Sequence, residues 1–554
     1  MRVFIPLIAV CFFLFSCNQD NTVNYSNQEI QVRIDRDPGI LFPMFATNLV
    51  SRDIYSYVHP QMTDYHPETL EFIPILLKEI PESQPIESGP LKGGIFYEME
   101  LLDEAVWPDG SPIDAEDYAF TIKSILHPDV KTPSWKNYIS IISAIELDAD
   151  NKKRFRVYFE KESVDANSVA YGIEVFPEHI YDPESAIKDI PIEHFISGEL
   201  DDFSSAESFS AFATKFNDAR FHAEVSVGSG PYRITDWQTD QYVRIERKED
   251  YWGSSFSDRF HLKATPKAIV FNIIPDEVTA TTQLKSGAID IMSFSNGENF
   301  NQLESDQATI ELHTPELQAY YFIAMNNKSP KLSDKNVRKA LSHLLDVDAF
   351  IDQVEYGFGK RTIGPILPFR DEYNSKIQPI SYSVDKAKEY LSNAGWSDTN
   401  NNGTIDKQLL GQLTELSLDM YVSTGALGQR LSLLLTENAK KVGIEINTIQ
   451  KANRAIRTEH IATGDYDLHP LVQRTSLEDY DPYNTWHSDN AVPGSRNYMM
   501  YDNAEADKII EDLKTELDED KRDELYFELQ EIMFEDQPVI FLYAPVAKIA
   551  TKIV

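Results

Sequence analysis

Two cysteines in 554 residues are too few for a disulfide framework, and both fall at the very start, Cys11 and Cys17. The body of the chain therefore has no thiol to pair or to act as a nucleophile. Basic residues are also in deficit: 51 Lys and Arg stand against 89 Asp and Glu, a formal net charge of −38. Such an excess repels phosphate backbones and anionic lipid surfaces, which excludes nucleic acid as a partner and keeps the chain soluble. Catalytic signatures are missing as well: there is no HExxH pair, no GxSxG elbow and no glycine fingerprint of a dinucleotide site. The tetrapeptide Gly359-Lys360-Arg361-Thr362 has the tail of a phosphate loop without the upstream glycine, so nucleotide binding is rejected. His59 and His66 stand at a spacing that fits no standard metal pattern. These absences leave a chain with no expected cofactor and no enzymatic constellation.

What is present is an ordinary globular composition, 42% hydrophobic and 25% charged, at a length that calls for two or three domains. Residues 3–15 are almost wholly apolar, long enough for a secretory core and too short to span a membrane. Leu14-Phe15-Ser16-Cys17 resembles a bacterial lipobox, in which the cysteine is lipidated and becomes the mature N-terminus. Phe15 is bulkier than the usual residue there, and a cleaved signal without lipid is the other reading. A lipid on Cys17 would anchor the protein to the cell envelope, on its periplasmic or cell-surface side. Residues 18–27 are polar and read as a tether.

Further along, the periodicity alternates between strand and helix. Residues 29–34, 96–102, 268–274 and 321–326 read as strands. Asp109-Gly110 predicts a turn and Asp114 an N-cap, followed by a helix that buries Tyr118, Phe120, Ile122, Ser124 and Ile125. Val337, Ala340, Leu341, Leu344 and Leu345 form one apolar helical face, with Ser333 or Asp334 as its cap. A short helix runs from Ser383 to Gly395. Strand 415–421, helix 425–442 and strand 444–447 compose a βαβ unit, with a loop at 423–428 where ligands favour strand ends. Asp398, Asn400, Asn402 and Gly403 imitate the first half of a calcium loop, but position twelve is Leu409 and the bidentate Glu is missing. A polar turn and a weak Ca²⁺ site both remain readings of it; no other metal site is expected. Helices at 504–517 and 520–534 precede a strand at 538–543.

One stretch carries more than local information. Gly228-Ser229-Gly230-Pro231-Tyr232 enters a hairpin that reverses at 238–241 and leads to Asp250-Tyr251-Trp252-Gly253. This resembles the GTGPY…NPDYW signature of the family 5 extracellular solute-binding proteins, the receptors of oligopeptide, dipeptide and nickel ABC importers. Segments 105–125 and 333–357 resemble two further motifs of that family, in order, and the likeness runs from about residue 28 to the C-terminus.

The resemblance implies an α/β fold of the type II periplasmic-binding-protein kind: two lobes with an inserted third domain, cluster C-like. By this analogy lobe I comprises 28–47, 222–295 and 532–554, the inserted domain 48–221, and lobe II 296–531. It also implies a monomeric receptor that closes around a peptide and hands it to ABC permease subunits. A non-peptide solute such as a nickel complex or oligosaccharide, or a sensing receptor uncoupled from import, are the alternatives. An acidic side chain would hold the ligand's ammonium; the matching residue is Glu478, with Asp479 as the alternative and Asp481-Pro482 completing the motif. Arg474 would meet a ligand carboxylate. The loop at 46–52, with Val50, lies near the cleft in such receptors. Trp135 and Tyr138 are either cleft aromatics or core.

Overall fold

The computed structural model describes residues 28–46, 48–66, 71–161, 165–219, 221, 226–256, 259–475 and 481–553. Cys17, Glu478 and Asp479 lie outside them. Three packed units are built from the alternating strands and helices. The first lobe has a seven-stranded sheet, in the spatial order 310–313, 549–552, 291–293, 29–34, 268–273, 242–247, 232–238. Strand Glu29–Ile34 runs parallel to Ala268–Ile273 and to Ile291–Ser293, while the remaining pairs are antiparallel. One face buries Ile34, Val243, Ile245, Ile269 and Phe271 beneath Ile54 and Val58. The second lobe has a six-stranded sheet ordered 359–361, 539–545, 319–325, 468–474, 417–422, 445–450. Helices Lys335–Ser342, Val347–Val354, Val384–Asn393 and Ala426–Lys440 cover one face, and Ala504–Leu513 with Glu519–Asp536 the other. The inserted domain carries a four-stranded antiparallel sheet and an aromatic core around Trp107, Tyr118, Phe120, Phe155 and Phe176.

Many local expectations hold in detail. Asp114 accepts from the Glu116 amide at 3.0 Å and Asp117 reaches back to the Asp114 amide, a reciprocal capping box. Asp334 caps the helix whose apolar face is fully buried, and strands Ser417–Val422 and Glu445–Gln450 are parallel, as a βαβ unit requires. In the calcium-like loop Asp398 accepts from the backbone of Asn402 and Gly403 at 3.2 and 3.0 Å, and Asn400 also accepts from Asn402.

The sheet memberships correct four of the expected boundaries. Strand Ile310–His313, expected beyond the first lobe, still pairs within its sheet. Strand Val539–Pro545, expected to return to the first lobe, instead lies between 319–325 and 359–361 in the second. The reason is burial: every residue from Val539 to Pro545 is buried, so both faces need cover, which the helix-clad second sheet supplies. The return is made by Ile549–Lys552. Helix Leu49–Tyr55, expected in the inserted domain, packs Ile54 onto the first sheet, while Tyr251, Trp252 and Leu262 join the inserted domain's core.

The Gly-Ser-Gly-Pro stretch fastens these two units together. A Cβ on Gly228 would sit 1.9 Å from the Val58 carbonyl oxygen, and one on Gly230 would sit 2.4 Å from that of Tyr57. The close approach lets Gly230 N donate to Val58 O at 3.0 Å and Tyr232 N to Tyr57 O at 3.2 Å. Lys248 Nζ then gathers the carbonyls of Gly228 and Gly230 at 2.6 Å each, and the Trp252 indole donates to Ser229 O at 3.1 Å. The lysine and tryptophan downstream are therefore the clasp on the turn upstream. Burial pulls the Lys248 ammonium down to about 7.

Candidate ligand-binding cleft

The chain passes between the lobes at 314–318 and 546–548, and the two crossovers run antiparallel. Leu317 N donates to Pro545 O at 3.3 Å and Ala547 N to Pro315 O at 2.7 Å, around a bridge pairing Glu316 with Val546. Two short extended segments, paired to each other, connect bodies with separate cores; this is the construction of a hinge. Beside it, Phe358 of the second lobe packs on Phe300 of the first at 5.3 Å, and Tyr356 Oη donates to Glu298 at 3.1 Å. Lys548, on the returning crossover, is 6% exposed and holds its ammonium 5.4 Å from the Phe358 ring. Burial lowers its pKa, and Glu355 of the second lobe and Glu277 of the first oppose that shift. Burial likewise raises Glu355, against the pull of Lys548. One buried ammonium thus feels an acid from each lobe.

On the first lobe's side stands helix Leu49–Tyr55. Asn48 caps it, accepting from Ser51 N at 2.8 Å and donating to Pro38 O at 2.8 Å, so the cap also fixes the preceding loop. With Ser51, Ile54 and Tyr55 buried and Val50 half-buried against the sheet, Arg52 and Asp53 point outward. On the second lobe's side, strand Leu468–Arg474 ends with an exposed Arg474, paired in register with Ala319 next to the crossover. The two sides meet electrostatically. Asp53 is exposed, yet crowding by protein raises its carboxyl pKa, and Arg52 and Arg474 pull it back down. Arg474 also lies near Tyr321, whose ring packs 5.1 Å from that of Tyr543 in the second lobe's core.

Arg474 is thus within electrostatic reach of Asp53, on the helix that bears Val50. Asp481 spends one oxygen accepting from Tyr483 N at 2.8 Å, starting helix Tyr483–Trp486. Tyr138 sits in the inserted domain, its ring 5.9 Å from Trp135 and packed on that domain's core. His59 is a core residue beside Phe42 and Phe176, and His66 packs on Phe260. Arg52, Asp53, Glu355 and Lys548 were not singled out from the sequence. Only the first two had a signal, lying in or next to the loop that the resemblance placed by the cleft.

Behind the helix a cavity of about 90 Å³ is lined by Arg52, Tyr55, His59, Gln61 and Glu174 among others. Glu174 is 4% exposed, and burial pushes its carboxyl up to about 7, with Arg52 and Gln61 opposing. Its folded-state pKa is above the unfolded value, so its stabilising protonation is complete below about pH 4.5 and is lost as pH rises through about 7. Ionising it in place costs roughly 3 kcal/mol. Glu174→Gln is therefore expected to flatten the fall in stability between pH 5 and 8, measured by urea unfolding at each pH. A variant with the parent's pH slope would show that this carboxyl is not the group responsible.

Among the described residues no helix is long and apolar enough to cross a membrane, and no group of three or more His, Cys, Asp or Glu is placed to hold a metal ion. Comparison with known proteins agrees with this architecture. The oligopeptide-binding protein AppA of Bacillus subtilis (strain 168) is 26% identical over 97% of this chain and 92% of its own length. The nickel-binding periplasmic protein of Escherichia coli (strain K12) is 24% identical over 59% of this chain and 60% of its own. Among solved structures, AppA from Bacillus subtilis in complex with a nonapeptide superposes with a TM-score of 0.69 at 23% identity, covering 95% of both chains. NikA from Brucella suis in complex with Fe(III)-EDTA superposes at 0.74 and 17% identity, again over 95% of both. The family described as bacterial extracellular solute-binding proteins, family 5, matches residues 86–525. With most of the chain inside that match, and two lobes hinged on paired crossovers, the protein belongs to the family 5 bacterial extracellular solute-binding proteins.

Proposed function

We propose that this chain is the receptor of an ABC importer that captures peptides between its lobes and delivers them to the permease. The supporting observation is the opposition of Asp53 on the first lobe to Arg474 on the second, next to the hinge. A ligand that touches both walls stabilises the closed state by the difference between its closed and open contacts. An extended peptide presents an ammonium, a carboxylate and a run of amides, and the cleft offers partners of both signs. In this reading Glu478, or Asp479 beside it, holds the ammonium, and Arg474 takes a carboxylate by its planar fork. The receptor acts as a monomer, lipid-anchored through Cys17 on the outer side of the membrane.

Glu478→Ala is expected to weaken binding of peptides by about 1.5–3 kcal/mol, roughly ten- to a hundredfold, the range of a charge-assisted hydrogen bond. Calorimetric titration with the peptide recovered from the natively purified protein measures it. Release of only non-peptide solutes on denaturation, identified by mass spectrometry, would sink the peptide reading in favour of another cargo.

A further inference from the structure

At the end of strand Ala319–Met325 remote from the crossovers, a cavity of about 620 Å³ opens on the second lobe, lined by Asn326, Lys328, Asp419, Tyr421, Asp465 and Asp467 among others. Seven strand residues at about 3.4 Å each put it roughly 20 Å from the cleft. Tyr421 is the unusual member. It is 8% exposed, lines the cavity, and its hydroxyl makes no hydrogen bond to any described residue. Its ring is fixed from behind, stacked on His460 at 3.8 Å with Lys451 at 5.8 Å. Those two are themselves locked: Lys451 Nζ donates to His460 Nε2 at 2.7 Å, and His460 Nδ1 donates to the Asp465 carbonyl at 3.1 Å.

The hydroxyl is presented among three carboxylates, Asp465, Asp419 and Asp467, each of which raises its pKa along with burial. Asp467 is already used, accepting from Ser329 Oγ at 2.8 Å and Asp419 N at 3.0 Å, with Lys331 at 3.7 Å. Among the described residues the Asp419 side chain accepts only from Asn447, at 3.2 Å, and the Asp465 side chain is 82% exposed. Lys328 is turned to the Ala491 carbonyl at 3.1 Å. Two carboxylates with free lone pairs and one rigid, unpartnered phenol therefore face the same space. They do not converge as metal ligands do.

We propose that this cavity is a second binding site, separate from the inter-lobe cleft, for a small organic cation bearing ammonium or guanidinium groups. The carboxylates of Asp419 and Asp465 accept from its N–H groups, and the Tyr421 oxygen supplies a third acceptor on a wall that does not reorganise. Acceptors drawn from separate segments around a roomy cavity suit a charge spread along a molecule, and a compact divalent ion would leave most of them unused.

Calorimetric titration of the whole chain with putrescine tests this. Binding is expected at one site, weakened about tenfold in Asp419→Asn and about threefold in Tyr421→Phe, and unaltered in Arg474→Ala. Thermal melts of each variant confirm that the fold persists. Absence of binding to the parent chain, equal affinity in Asp419→Asn, or loss in Arg474→Ala would overturn the proposal, the last by placing the amine in the cleft. Displacement by an equal concentration of Mg²⁺ would overturn it in favour of a metal site.

Discussion

Gly228→Ala is expected to unfold the junction between the first lobe and the inserted domain. The added methyl would lie 1.9 Å from the Val58 carbonyl oxygen and 2.7 Å from the His59 ring, and neither is a flexible side-chain tip that can move aside. The 226–232 segment must then lift off residues 57–58. That breaks the paired bonds from Gly230 N and Tyr232 N, and it strands the Lys248 ammonium that the turn's carbonyls satisfy. Losing a buried backbone pairing together with a solvated-by-carbonyl charge is on the order of 4 kcal/mol, at the upper end for a single substitution. Gly364→Ala is the matched control, since its Cβ would meet nothing closer than Gln530 Cγ at 3.5 Å. Urea unfolding of the two variants should separate them widely. Equal midpoints would mean that the close approach is not maintained in solution.

Arg338→Met is expected to be nearly as severe, and in the other lobe. This guanidinium is 6% exposed and serves four carbonyls: Leu332 and Ser333 at 2.8 and 3.0 Å, Asp536 at 2.8 Å, and Gln537 at 3.1 Å. The last two close helix Glu519–Asp536, whose exit residue Gln537 has a left-handed φ of 45°. The arginine thus ties the first helix of the second lobe to the end of its longest, just before strand Val539–Pro545 leads into the hinge. Methionine keeps the stem and removes every donor, leaving the buried carbonyls of Leu332 and Gln537 without this partner and those of Ser333 and Asp536 to water, at a cost of about 3–5 kcal/mol. Arg338→Lys keeps the charge but not the fork, so it should recover only part of the loss. Amide hydrogen exchange around residues 537–540 reads the effect directly. Unchanged protection there in Arg338→Met would show that the helix end is held by something else.

How much of this was legible in the residues follows from the range of each interaction. Asp114, Asp334 and Ser383 act on amides two or three positions away, so their type and place in the chain suffice to assign them. The buried face around Leu341 is written in helical spacing. The Gly228 turn was legible as a turn, but the reason for two glycines was not, because residues 57–58, which press on them, are remote in the chain. The lobe boundaries failed for the same reason: sheet membership is decided by pairing partners, and strand Val539–Pro545 looks locally like any apolar strand. The strand read across 415–421 is split, since Leu416 separates a two-stranded hairpin from Ser417–Val422. The family likeness pointed to Arg474 and to a loop at 46–52, but residues from Leu49 onward form a helix there. Glu174, Glu355 and Lys548 are single charged residues whose meaning comes entirely from what folds over them, and no local pattern marks them.

The order of strands in the first sheet also has a consequence in time. Ile549–Lys552 lies between Ile291–Ser293 and Ile310–His313, in the interior of the sheet. A chain made from its N-terminus therefore assembles the entire second lobe while the first still lacks an inner strand. Until residues 549–552 arrive, the flanking strands present open edges, which bind stray partners as readily as the right one. The second lobe can mature alone, whereas the first is sealed last, by the same segment that brings the chain back across the hinge.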